Sequence, residues 1–321
     1  MKSYFALSAT ILLCISIPSA AHHSDAGYNR DSIVVLEAEV LRYVFRNPHV
    51  TVFVQAKEEN GEMVEWEIET GSTPIMQRSG WTADLLSPGE KIIVRAHPER
   101  AGRMRAILNT LETADGQLWS QIEKDAEATE SASSLGGVWK GVASTSLNRQ
   151  FREIDLTQAA MDAKASYDPI ADDPNNQCIT NPPPFLNSSG NYLTGIEILE
   201  DRVILRNEFL DMVRTVYMDG RQHPENAERT LQGHSIGHWE EDVLVVDTVL
   251  LADFPSGNGN GVPSGAQKHV VERFSLSEDG TRAIVDVMVE DPEFLLEPVV
   301  ASTEMMYVPH LQLYQYGCTV Q

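Results

Sequence analysis

Short runs in which hydrophobic and polar positions alternate recur along most of this chain. In the first third, such runs cover residues 33–40, 49–54, 64–69, 91–96 and 106–111. A period of two residues is typical of strands with one buried face. The pair Asn60-Gly61 favours a hairpin between the second and third runs, and Ser72-Thr73-Pro74 favours the start of a short helix after the third. Five short strands with one helix between the third and fourth predict an OB-like small barrel.

The composition changes at about residue 119. Residues 121–130 are polar, acidic and rich in alanine, and Ser131-Ala132-Ser133-Ser134 is typical of a flexible linker. Strand-like runs then return at short spacing, many of them separated by glycine-containing turns, and they predict an antiparallel β-barrel or sandwich. Asp155 is expected to cap a short helix over residues 156–166. The runs lie at 196–199, 203–207, 212–218, 234–239, 243–248, 269–276, 282–290 and 305–316.

The first 21 residues have the order of a signal peptide. Lys2 gives a positive start, residues 4–17 are an apolar run too short to span a bilayer as a helix, and Pro18 interrupts the run. Ser19-Ala20-Ala21 places small residues where a signal peptidase requires them. A buried N-terminal helix is the alternative. We expect an exported protein, periplasmic or secreted, whose mature chain has no integral membrane segment.

The chain is therefore expected to be mainly β and to have four segments. They are a signal peptide at 1–21, an OB-like β-barrel domain at 22–118, an acidic linker at 119–134 and an antiparallel β domain at 135–321.

The charge balance narrows the class of partner. The chain has 47 acidic and 24 basic residues, which gives a net charge of −23. A surface this acidic repels nucleic acid and anionic lipid. We therefore expect the partner to be a small molecule or a periplasmic protein, and not a nucleic acid.

Two of the three cysteines, Cys178 and Cys318, follow the signal peptide. An even pair in an exported protein most simply forms a disulfide. Such a bond would tie down the C-terminus and, in the chain-entropy model, stabilise the fold by about 4–5 kcal/mol. Two separate thiols or two thiolate metal ligands are the alternative.

Cleavage after Ala21 would make His22 the first residue of the mature chain. Its amine and its imidazole Nδ1 would then chelate one metal ion in a six-membered ring, with His49 or His23 as a third nitrogen ligand. Cleavage after Ala20 would place His23 at position three, where amine, amide and imidazole nitrogens form a square-planar site. Nitrogen ligands and the Irving–Williams order favour Cu(II) in both cases. A frayed terminus without metal is the alternative.

A second set of polar residues lies on the strands predicted for the second domain. If these side chains meet, they form a ligand pocket or an acid–base pair, and the alternative is a hydrogen-bond network that only links strands. The residues are His234, Asp247, His269 and Glu272.

Several short segments of the chain together resemble an uncharacterised family of secreted bacterial proteins built on a small β-barrel. In the first domain the segments are Ala21-His22-His23-Ser24, Asn47-Pro48-His49, Gly80-Trp81 and Pro88-Gly89. In the second they are Asp173-Pro174 with Cys178, Tyr217-Met218-Asp219-Gly220-Arg221, Gly233-His234-Ser235-Ile236-Gly237, Leu244-Val245-Val246-Asp247-Thr248 and Val271-Glu272-Arg273-Phe274. The resemblance implies export and fold, and no activity comes with it.

The start of the second domain carries a further resemblance. Leu135-Gly136-Gly137-Val138-Trp139 is similar to the first strand of lipocalin-like barrels, so a lipocalin-like C-terminal domain is expected.

Two classes of function follow from the sequence. In the first, the protein is an exported binding or accessory protein of unknown ligand that binds copper through its N-terminal histidine. In the second, it is a periplasmic enzyme, either a copper-dependent oxidase or a hydrolase that uses the polar cluster of the second domain. A filled second barrel would favour the first hypothesis, and a solvent-open pocket lined by His234, Asp247 and His269 would favour the second.

Overall fold

A computed structural model describes residues 27–58, 60–120, 130–169, 171–185 and 190–319. In these ranges the chain is mainly β and forms two closed barrels, one in each half. None of the helices within the same ranges is long and apolar enough to cross a membrane.

The first barrel has the OB-like order predicted from the sequence. Within the described residues, its strands lie in the order β3-β2-β1-β4-β5, and a pairing between β3 and β5 closes the barrel, while β6 extends the sheet beyond β5. The elements are β1 (Val34–Val44), β2 (Thr51–Lys57), β3 (Met63–Glu69), α1 (Thr73–Arg78), β4 (Lys91–Pro98), β5 (Arg105–Thr113) and β6 (Leu118–Ser120). Alternate strand residues point inward and are buried, among them Val52, Val54, Ile68, Val94 and Leu111.

The second barrel is closed by nine strands of the described chain, in the order β10-β11-β12-β13-β14-β15-β7-β8-β9. The strands are β7 (Gly137–Gly141), β8 (Leu193–Ile198), β9 (Arg202–Asn207), β10 (Met212–Tyr217), β11 (His234–Glu240), β12 (Val243–Val249), β13 (His269–Leu276), β14 (Arg282–Glu290) and β15 (Val299–Tyr307). Its neighbours are antiparallel except β10 and β11, which are parallel over a short contact. The closed, mainly antiparallel β-barrel expected for this half is confirmed.

Large side chains fill the interior of the second barrel. Trp139, Leu205, Phe274, Val285 and Met305 are all buried in one hydrophobic cluster. Helix α2 (Leu147–Gln150) adds its buried Leu147 to this cluster, and helix α3 (Gln158–Ser166) follows it. In the described chain, 3-10 turns lie at Ala143–Thr145, Pro174–Gln177 and Phe209–Asp211.

The cap of α3 differs from the prediction. Helix α3 begins at Gln158, and the Thr157 side chain accepts a hydrogen bond from the backbone N–H of Ala160 at 3.2 Å. Asp155 lies two residues before this cap. Its backbone carbonyl accepts a hydrogen bond from the Leu296 N–H in a neighbouring segment.

The predicted disulfide between Cys178 and Cys318 is present, and it links positions 140 residues apart. It fastens the last part of the chain beside the loop after β9. There the Tyr314 N–H donates to Glu208 at 2.8 Å, and the Tyr316 N–H donates to Asp211 at 2.7 Å.

The same segment contacts the first barrel. The Asn47 amide donates to the backbone carbonyl of Tyr316 and accepts from the Thr73 N–H at the start of α1. At the end of α1, the Arg78 guanidinium lies 2.5 Å from a carboxylate oxygen of Glu208, and both side chains are almost fully buried. The two barrels are therefore joined by buried polar contacts.

The predicted domain limits stay predictions. Strand β6 extends two residues beyond the predicted end of the first domain at 118, and residues 121–129 of the predicted linker lie outside the described ranges.

Candidate functional site

The alternation of side chains along β12 and β13 decides which of the predicted site residues can meet. Val246 belongs to the interior cluster, so Asp247 points to the outer face of the barrel. On β13, Glu272 is fully buried inside the barrel, and His269, three positions earlier, points outward. Glu272 therefore does not join the other predicted residues, because an odd separation on one strand reverses the face.

His234, Asp247 and His269 lie in one hydrogen-bonded chain on the outer face. Glu290 Oε2 lies 3.0 Å from His269 Nδ1, and His269 Nε2 lies 3.0 Å from Asp247 Oδ1. The same Asp247 oxygen lies 3.1 Å from His223 Nε2, and His223 Nδ1 lies 2.8 Å from His234 Nδ1. We call these five side chains the outer-face chain.

Hydrogen-bond chemistry restricts the protons in the outer-face chain. Carboxylate oxygens only accept, so the contacts are satisfied when His269 donates from both ring nitrogens to Asp247 and Glu290. His223 then donates from Nε2 to Asp247. The two Nδ1 atoms of His223 and His234 face each other and share one proton, because one ring must donate and the other accept.

A stack of side chains supports the His234 end. The rings of Tyr217 and His234 are stacked with centroids 5.3 Å apart, and the Arg221 guanidinium carbon lies 3.8 Å from the Tyr217 ring centroid. Partial burial, together with the positive charges of His223 and Arg221, lowers the pKa of His234 below its ordinary value of 6.5. His234 is therefore neutral at pH 7.

Sequence reasoning missed His223 and Glu290. Glu290 lies directly opposite His269 in the β13–β14 hairpin, so counting from the Glu278-Asp279-Gly280 turn would have found it. His223 lies in the long connection from β10 to β11, where no strand pattern indicates its position. Only the folded chain brings it to Asp247.

Inside the barrel, Glu272 has a different role. Its carboxylate lies 2.5 Å from the Arg214 guanidinium of β10, and the two side chains are 0% and 4% exposed. This is a buried ion pair that links two strands across the interior, and solvent does not reach it.

Lys268 is a third charged side chain buried in this half of the molecule. Its ammonium group donates to the backbone carbonyls of Pro183 and Gly257, so it fastens two loops at the end of the barrel. Burial lowers the pKa of Lys268 to about 7, against the opposing charges of Asp291 and Glu272. These contacts indicate a structural role.

In the first barrel, the predicted metal ligand His49 is held by a buried carboxylate. His49 Nδ1 lies 2.5 Å from Glu69 Oε1, and the Tyr28 hydroxyl donates to Glu69 Oε2 at 2.8 Å. Burial raises the pKa of Glu69, but hydrogen bonds from His49 and Tyr28 and the charge of Arg105 outweigh it, so the pKa of Glu69 is lowered. The carboxylate is therefore ionised at neutral pH and fixes the His49 ring.

The other predicted metal ligands, His22 and His23, lie outside the described residues. Among the residues from Gly27 onward that the structure describes, no group of three or more histidine, cysteine, aspartate and glutamate side chains is arranged to hold a metal ion. The outer-face chain is thus a line of hydrogen bonds and not a preformed metal centre.

A surface groove of about 530 Å³ lies on the outside of the first barrel, over β1, β4 and β5. Glu37, Glu39, Glu112 and Lys91 line it together with Ile93. It is separate from both His49 and the outer-face chain.

Comparison with known proteins relates one segment of the chain to a family model. Residues 9–108, which include most of the first barrel, match the model of a family of unknown function (DUF6152). No curated protein matches the chain. Among solved structures, the chain is similar to a mutant of the fluorescent protein UnaG, with 12% identity and a TM-score of 0.26 over 54% of this chain and 96% of that one.

Proposed function

We propose that this is an exported binding protein that takes up one Cu(II) ion at the N-terminus of its first barrel. The ligands are the His22 amine and imidazole, once the signal peptide is removed, and the imidazole of His49. The observation that carries the proposal is the Tyr28–Glu69–His49 arrangement.

A histidine that binds a metal commonly donates its second ring N–H to a carboxylate, which fixes the tautomer and the ring orientation. Glu69 holds His49 in this way, through Nδ1. The tautomer that donates from Nδ1 presents Nε2 as the nitrogen with a lone pair. That nitrogen is the one a metal ion would take.

Chain length is compatible with the proposal. Tyr28 lies beside Glu69, and His22 precedes it by six positions in the sequence. Six residues of extended chain span at most about 20 Å. The mature N-terminus is thus within reach of His49.

The filled interior of the second barrel supports a binding role over the alternative of a periplasmic enzyme. His234, Asp247 and His269 lie on the outer face of that barrel, so they do not line an interior pocket. Catalysis generally requires a site that excludes water.

The test is a Cu(II) titration of exported protein whose first residue has been identified by mass spectrometry. We expect one ion per chain, with binding that weakens as pH falls below about 6–7, because the amine and imidazoles then hold protons. His49→Ala should weaken binding and change the copper absorption spectrum. Glu69→Gln should weaken binding less, since it removes the support of the ring and not a ligand.

A matched control is His238→Ala, which removes a histidine of the second barrel whose side chain is 63% exposed. This variant should bind copper as the unchanged protein does. Equal affinity in the His49→Ala variant and the unchanged protein would overturn the three-nitrogen site. Retention of binding after one extra residue is added before His22 would overturn the role of the amine.

A further inference from the structure

The long connection between β10 and β11, residues 218–233, is exposed over most of its middle part. Backbone hydrogen bonds of Met218 and Thr230 fasten its two ends, and side-chain contacts hold its middle part. Arg221 lies over Tyr217, His223 bonds Asp247 and His234, and Arg229 pairs with Asp253 at 2.6 Å. His223 is the central contact, and its neighbours on both sides are exposed.

We propose that the facing Nδ1 atoms of His223 and His234 form a pH-sensitive clamp, which holds the 218–233 loop on the outer face at neutral pH and releases it in mild acid. The proposal is independent of copper binding by the first barrel. It rests on the 2.8 Å separation of two nitrogens that can share only one proton.

The chemistry of the pair gives the direction of the switch. With one shared proton, one ring donates and the other accepts. A second proton places an N–H on each facing nitrogen, so two positive rings meet with no acceptor between them. The contact then breaks, and His223 leaves the position where it bridges to the barrel.

Charged groups on every neighbouring element act on this pair. Asp247 on β12 accepts a hydrogen bond from His223 Nε2 and so holds that ring against the barrel. Asp247 also accepts from His269, which bonds Glu290 of β14 in turn. Arg221 in the loop adds positive charge near His234, although Asp219 forms an ion pair with it.

The sign of the pH dependence follows from the pKa of His234, which burial and the positive charges of His223 and Arg221 lower. A lowered pKa means that the unfolded or released chain binds the proton more readily than the clamped form. The clamp therefore contributes fully above about pH 6.5, the ordinary value for histidine, and its contribution falls as pH drops through the folded pKa.

The experiment measures opening of the loop with endoproteinase Glu-C, which is active at both neutral and acidic pH and cuts after Glu225 and Glu228. Each rate is divided by the rate on a free peptide of residues 218–233 at the same pH, so that the protease's own pH dependence cancels. When opening is fast compared with cleavage, the corrected rate reports the population of the open form. We expect the corrected rate to rise roughly threefold or more between pH 7.5 and pH 5.0.

Two variants separate the clamp from general acid sensitivity. His223→Asn should give a high corrected rate at both pH values, and His234→Gln should remove the increase in acid, since neither variant can place two protons between the rings. His238→Gln alters a histidine on the same strand that bonds exposed Glu240 and should behave as the unchanged protein. Side-chain ¹⁵N NMR of the unchanged protein should show the Nδ1 signals of His223 and His234 shifting together.

The clamp proposal would be wrong if the corrected rate of the protein without substitutions were the same at pH 7.5 and pH 5.0. An acid response in His223→Asn equal to that of the unchanged protein would also overturn it. If a variant does not fold, the NMR measurement on the unchanged protein decides, because two histidines that titrate independently cannot share a proton.

Discussion

The two barrels differ in what they bury. The interior of the first is lined by aliphatic and aromatic side chains, and its buried Glu69, the last residue of β3, contacts Tyr28 and His49. The second barrel encloses an Arg214–Glu272 ion pair and is closed at one end by loops fastened to Lys268. The comparison indicates that the buried Glu69 carboxylate fixes the imidazole of the half-exposed His49, whereas the buried charges inside the second barrel link strands.

Removing the disulfide should produce the largest difference in stability between the two barrels. Replacing both Cys178 and Cys318 by serine removes a cross-link over 140 positions that lies wholly in the second half of the chain. In the chain-entropy model the loss is about 4–5 kcal/mol. We expect calorimetry to show a lower unfolding temperature for the second barrel and an unchanged one for the first. Equal shifts in both transitions would show that the barrels unfold as one unit.

Breaking the interior ion pair should have the next largest effect. Glu272→Gln leaves the Arg214 guanidinium buried without a counter-charge, and removing one partner of such a pair typically costs about 3–5 kcal/mol. The double variant Arg214→Met with Glu272→Leu removes both charges and should cost much less. Urea unfolding measures both.

The control for this prediction lies on the first barrel. Lys91 and Glu39 form an ion pair there in which the lysine side chain is 73% exposed. Lys91→Ala should leave the unfolding midpoint unchanged, because exposed pairs contribute little. If Glu272→Gln were as harmless as Lys91→Ala, the interior pair would have no role in stability.

The contact between the barrels gives a third test. Proteolysis between residues 121 and 134 should yield two folded pieces, and Arg78 with Glu208 should keep them together. Arg78→Ala should weaken the association by about 3 kcal/mol, because Glu208 is left buried without a counter-charge. Size-exclusion chromatography of the cut protein measures whether the two pieces remain associated. Co-elution of the variant's pieces at micromolar concentration would show that the remaining contacts suffice.

The sequence predicted most of the strands because their alternation records which face is buried. It placed five strands and one helix of the first barrel in the correct order, and it paired the two cysteines. It could not predict that β10 and β11 are parallel, since alternation carries no information about the direction of a neighbour. The direction follows from the path of residues 218–233.

The same loop explains why the candidate site was only partly foreseen. His234, Asp247 and His269 lie on predicted strands, and their approach follows from strand pairing. His223 reaches them from an irregular segment, so no periodic pattern gives its place. Glu272 was grouped with them by closeness in sequence to His269, although three residues along a strand place it on the opposite face.

The smallest predicted effect concerns the cap of α3. It tests whether the sequence pattern, which favours Asp155, or the tertiary contacts, which favour Thr157, identify the cap. Thr157 accepts from the Ala160 N–H and donates from its hydroxyl to the Glu293 carbonyl at 2.8 Å. Thr157→Ala should therefore destabilise the second barrel by about 1 kcal/mol, the usual cost of a lost N-cap. Asp155→Ala should change stability by less than about 0.5 kcal/mol, because its backbone contact with Leu296 survives the substitution.

Thr157→Ser is the matched control, since serine keeps both hydrogen bonds and should remain close to the unchanged protein. Urea unfolding of the three variants gives the order of stability. If Asp155→Ala proved as costly as Thr157→Ala, the helix would begin earlier in solution, and the cap inferred from the sequence pattern would be the one that acts. The expected order instead identifies Thr157 as the cap. Its position is also fixed by a tertiary contact, because its backbone N–H donates to the Phe294 carbonyl at 3.1 Å.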